Sequence, residues 1–120
     1  MSDIQRFEQL KKNINSDPTN FQSRREFAML CLDYGFVESA VVNLNYLLDV
    51  FPEDANILFN LGVCFEKFKE FKLALEAYKK AVKIKPDEGD FIYNLAVSCL
   101  FISCSDSMLK LIFCRKFNTV

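Results

Sequence analysis

Three prolines, Pro18, Pro52 and Pro86, stand 34 residues apart, and they are the only prolines in the chain. Other residues keep the same period. Leu58, Leu61-Gly62, Phe65, Ala74 and Tyr78 precede Pro86. Thirty-four residues earlier stand Arg24, Phe27-Ala28, Cys31, Ala40 and Leu44; 34 later stand Ile92, Leu95-Ala96, Cys99, Met108, Ile112 and Val120. A period between about 20 and 50 residues means a stack of one repeated supersecondary unit.

Each unit reads as two helices. In the segment from Asn56 to Lys67, Leu58, Leu61, Gly62 and Phe65 recur at helical spacing, and Phe71, Ala74, Leu75, Tyr78, Ala81 and Val82 do the same up to Lys83. Gly62 and Ala74 are expected to face each other, because small residues let two helix backbones approach. A proline lacks the N–H and disfavours helix in the residue before it, so each proline should close a second helix. Asn20, Asp54 and Asp87 follow the prolines and can cap the next helix. Gly35 suits the turn between the helices of the first unit, whereas the second has Lys69-Glu70 there. Hairpin turns are expected near Tyr34-Gly35, Phe68-Lys69 and Ser103–Ser105. Ahead of these units, Ile4, Phe7, Leu10 and Ile14 form a stripe that Ser2 or Asp3 can cap. The expected organisation is one domain. It comprises a half-unit at 1–17, full units at 21–54 and 55–88, and a divergent third unit or capping hairpin at 89–120.

The period, together with the Leu-Gly, aromatic, Ala, aromatic, Pro pattern of residues 55–88, resembles the tetratricopeptide repeat family. Leu58 stands where that family usually has tryptophan. Arg24, Cys31 and Leu44 replace aromatics in the first unit. In the third, Met108 replaces the small alanine and Val120 the proline. The resemblance implies an all-α, right-handed solenoid of antiparallel helix hairpins, about seven helices in all. It also implies a protein or peptide partner held in a concave groove lined by the first helix of each hairpin. Those positions are Arg25 and Met29, then Phe59, Asn60, Val63 and Lys67, then Tyr93, Asn94 and Val97. An asparagine carboxamide both donates and accepts, which suits an extended peptide backbone. Packing against the neighbouring hairpin is the competing role for the same residues. Co-chaperones of this family clamp a terminal carboxylate with cations and asparagines. Arg25 and Asn60 fit that pattern, but Met29, Asp90 and Asn94 break it, so chaperone-tail binding is not expected.

Composition narrows the remaining classes. The chain has 15 basic and 16 acidic residues, no histidine and three glycines. No phosphate loop or nucleophile–base pairing is recognisable, so neither an enzyme nor a cofactor is expected. The charge balance argues against a nucleic-acid partner. The lysines between Lys67 and Lys85, flanked by Glu66 and interrupted by Glu70 and Glu76, read as an ordinary solvated helix face with supporting pairs three and four residues apart. Cys31, Cys64, Cys99, Cys104 and Cys114 are odd in number and lack metal-ligand spacing, so free thiols in the cytoplasm and no metal are expected. The start of the chain has no secretory pattern. The uncharged run from Phe91 to Ser105 is shorter than the roughly 20 residues of a membrane helix. The final helix, about Ser105 to Phe117, has no clean polar side. Met108, Ile112, Phe113 and Phe117 are therefore candidates for self-association into a homo-oligomer.

Overall fold

The computed structural model describes residues 2–101, and the chain divides into two compact units, Met1–Pro52 and Glu53–Val120. Among the described residues there are six α-helices and no strand. The fold is all-α. The seventh helix expected near Ser105–Phe117, and the turn at Ser103–Ser105, lie outside the described residues.

The first unit contains α1 (Asp3–Ser16), α2 (Phe21–Asp33) and α3 (Val37–Val50). Ser2 caps α1: its hydroxyl accepts from the Gln5 amide, and the Gln5 side chain accepts from the Ser2 amide. Asn20 caps α2 by accepting from the Ser23 amide. α2 packs on both α1 and α3. Leu10, Phe27, Ala28, Cys31, Ala40, Leu44 and Leu47 form the buried core. Phe7 sits edge-on to Phe27, Tyr34 and Phe36, with ring centroids 5.6–5.9 Å apart. Arg24, at the position where the family has an aromatic, reaches into α3. Its guanidinium lies 3.8 Å over the Tyr46 ring and donates to the Asn43 side chain at 3.0 Å. A planar cation on a ring supplies the contact an aromatic would otherwise make.

The second unit contains α4 (Ala55–Lys67), α5 (Phe71–Ile84) and α6 (Gly89–Phe101). α5 packs on both α4 and α6. Asp54 caps α4 by accepting from the Asn56 and Ile57 amides. α6 begins at Gly89, and the Ile92 amide donates to the Glu88 carbonyl, as Arg24 does to Asn20 and Leu58 to Asp54. The position in register with those caps is therefore Glu88. Asp87, expected from the sequence to start this helix, lies one residue too early.

Both described hairpins close the same way. The amide of Gly35 donates to Leu32 and that of Phe36 to Cys31; the amide of Lys69 donates to Glu66 and that of Glu70 to Phe65. This paired return is the Schellman ending, which needs a left-handed residue. Gly35 has φ 80° and Lys69 has φ 61°. The second turn thus places a lysine where the first has glycine, at some conformational cost.

Tyr78 and Ala74 are fully buried and cluster with Leu95, and Phe59, Val63, Phe65, Leu75 and Val82 pack around them. The three atoms nearest a β-carbon placed at Gly62 all belong to the Tyr78 ring, so the missing side chain makes room for that aromatic.

Candidate functional site

In the second unit, side chains of α4 and α6 meet at two ends of the pair. Phe59 stacks on Phe91, with centroids 4.6 Å apart and planes at 27°, and it also meets Tyr78 at 5.6 Å. Ser98, fully buried, donates its hydroxyl to the Glu66 carboxylate at 2.7 Å. Burial pushes the Tyr78 phenol well above the usual range for tyrosine, and the nearby Glu66 carboxylate pushes the same way. Burial likewise pushes the Cys64 thiol up to about 11, partly opposed by Lys67.

These contacts sort the expected groove residues. Phe59 and Val63 are both half-buried and pack against the same core cluster. Asn60 and Val97 are half-buried and Lys67 is exposed. Tyr93 is 55% exposed, although Phe91, Ile92, Leu95 and Ala96 around it in the chain are buried. Asn94 donates its amide to the Asp90 carbonyl at 2.8 Å, which fixes the side chain along its own helix.

Arg25 and Met29, on α2, belong to the first unit. There they line a shallow cavity of about 400 Å³ with Arg6, Leu10, Gln22, Glu26, Leu30 and Asp33. Arg6 and Glu26 form an ion pair, and Arg25 lies 5.1 Å over the Phe51 ring. A larger cavity of about 750 Å³, missed at the level of sequence, lies among Phe7, Phe27, Tyr34, Phe36 and Cys31, where the Tyr34 hydroxyl donates to Asp3. The stripe of Phe7 and Ile4 was the sequence signal for it. Met108, Ile112, Phe113 and Phe117 lie outside the described residues. Among the described residues no cluster of three histidine, cysteine or acidic side chains could hold a metal, and no helix is long and apolar enough to cross a membrane.

The family model for the tetratricopeptide repeat matches residues 55–88, the segment that carries the Gly62–Tyr78 contact. Residues 55–88 form a tetratricopeptide repeat. No curated protein matches the chain. Among solved structures, MamA of strain AMB-1 aligns with a TM-score of 0.81 at 20% identity, covering 93% of this chain and 62% of that one. MamA of strain MSR-1 aligns at 0.75 and 23%, covering 84% and 58%. MamA from Desulfovibrio magneticus RS-1 (residues 41 to the end) aligns at 0.81 and 17%, covering 95% and 67%. At these identities the likeness is one of fold. The chain spans less than two thirds of the length of the first two. The family match is confined to residues 55–88; over the other described helices the likeness to these structures is one of fold alone.

Proposed function

We propose that this chain is a non-catalytic adaptor that holds a peptide or a partner helix against the first-helix face of its tetratricopeptide repeat. The repeat at residues 55–88 and the fold support a protein–protein interaction or scaffold module in general. The finer reading rests on the exposure of Tyr93 amid buried neighbours. A large aromatic held out by a rigid helix loses little freedom on binding and is a common centre of interface energy. Val63 and Val97 supply an apolar floor beside it, Asn60 and Asn94 the polar groups, and Lys67 a cation at the C-terminal end of α4. Arg25 and Met29 hold the corresponding register positions on α2. Asp90 at the start of α6 disfavours a terminal carboxylate as the ligand.

Cys31 and Cys64 are buried free thiols, which favours a reducing compartment such as the cytoplasm. A second role, self-assembly through Met108, Ile112, Phe113 and Phe117, is favoured by the absence of a polar side in that segment. Affinity capture followed by mass spectrometry supplies the partner. Asn60→Ala and Tyr93→Ala should then each weaken binding while leaving the helical spectrum unchanged. Binding that survives both changes contradicts the proposed face. Light scattering in reducing buffer, with Ile112→Glu and Phe113→Glu for comparison, tests self-assembly; a chain that stays monomeric at high concentration contradicts it.

A further inference from the structure

Between residues 67 and 85 the chain carries seven lysines against two glutamates, a local net charge of +5 in a chain whose total is -1. All seven lysines are exposed. Four of them stand on α5. At ~100° per residue Lys72, Lys79 and Lys83 fall within roughly 40° of one another, with Lys80 beside them. They lie opposite Ala74, Ala77, Tyr78 and Ala81, which bury the other side of α5. The stripe runs about 16 Å along the helix, at 1.5 Å per residue.

The supporting ion pairs that the sequence suggested are mostly not formed. Along this stripe the structure forms one, Lys79 with Glu76, at 3.9 Å. The like-charge neighbours Lys79–Lys83 and Lys80–Lys83, four and three residues apart, repel each other instead. Glu76 offsets part of that repulsion at Lys79, and a negative partner would offset more of it.

The geometry points to the lysine face of α5 as a second docking surface, one that takes an acidic segment of a partner protein. It is separate from the first-helix face proposed above. The side-chain chemistry selects among anionic partners. All four cations on α5 are lysine and none is arginine, which disfavours bidentate grip on individual phosphates. The aromatic residues of α5 are not available for stacking on bases: Tyr78 is buried and Phe71 is half-buried. A bilayer would meet Glu70 and Glu76 within the patch and find no apolar face to insert, because that side of α5 is already packed. A protein segment with spaced carboxylates tolerates Glu76 and gains Leu73, half-exposed beside Lys80, as an apolar contact.

Fluorescein-labelled polyglutamate is the probe, titrated with the full chain and followed by anisotropy. Binding is expected at low salt and should weaken as ionic strength rises. Lys72→Glu with Lys80→Glu should weaken it about tenfold or more, since reversed charges repel the ligand. Lys11→Glu with Lys12→Glu on α1 makes the same change in net charge and should leave it within about twofold. Circular dichroism verifies the fold of both variants, and Lys72→Gln with Lys80→Gln gives a milder version of the same loss. No binding at low salt overturns the inference. So does equal weakening by the α1 pair, or tighter binding to phosphatidylserine vesicles or duplex DNA than to polyglutamate.

Discussion

Gly62 and Tyr78 meet face to edge inside the second unit: a β-carbon at position 62 would lie 2.6 Å from Cδ1 and 2.9 Å from Cζ of the tyrosine ring. The ring is fully buried beside Ala74 and Leu95 and has nowhere to move. Alanine would gain ~1 kcal/mol of helix propensity, but forcing the ring aside costs roughly 1–3 kcal/mol. Gly62→Ala should therefore lower stability on balance in urea unfolding. With Tyr78→Leu present, the added cost of Gly62→Ala should largely vanish, because the two residues share one contact.

Much of the architecture was legible before any coordinates. α1, α3 and α5 end at Ser16, Val50 and Ile84, each two residues before a proline. That regularity comes from local backbone chemistry, which sequence spacing records directly. What the spacing could not record is which residue faces which across two helices. A helical wheel places Gly62, Ala74 and Tyr78 on inward faces, but it does not show that the Tyr78 ring lies against Gly62. Two of the expected groove positions differ in burial for the same reason. Phe59 and Tyr93 hold equivalent register positions, yet Phe59 is stacked on Phe91 while Tyr93 is 55% exposed.

That difference gives opposite expectations for two aromatic truncations. Phe59→Ala removes a stacked, partly buried ring and should destabilise the fold by about 2–4 kcal/mol, near the range for buried aromatics. Tyr93→Ala should change stability by less than about 1 kcal/mol and act on partner binding instead. Thermal unfolding of the two variants side by side checks the contrast.

Lys69 sits in the left-handed conformation that Gly35 adopts in the first hairpin. Lys69→Gly should relieve that strain and stabilise the fold by about 0.5–1 kcal/mol, after allowing for the greater freedom of glycine in the unfolded chain. Gly35→Ala should destabilise it by a similar amount. Shifts of the unfolding midpoint in these opposite directions are the expected outcome.

Stability should also fall in alkaline solution. The Cys64 thiol has a pKa near 9.0 when unfolded and about 11 when buried. Below pH 9 both states keep the proton; between 9 and 11 only the unfolded chain loses it. The stabilisation is therefore complete below the unfolded value and disappears as pH rises to the folded one, a loss of ~2–3 kcal/mol. Tyr78 is shifted in the same direction, so the Cys64 share is read as a difference. Cys64→Ala should flatten the decline between pH 9 and 11 without abolishing it.

The central claim is that the exposed side of α4 and α6 holds a partner protein. Its most direct test is site-specific photo-crosslinking, with a photoreactive residue at Tyr93 on α6 and, for comparison, at Val42 on α3, where the side chain is 66% exposed. The account predicts a protein adduct from position 93 that excess unlabelled chain competes away and Asn60→Ala diminishes, with no such adduct from position 42. Equal capture from both positions, or an adduct from position 42 alone, would contradict it.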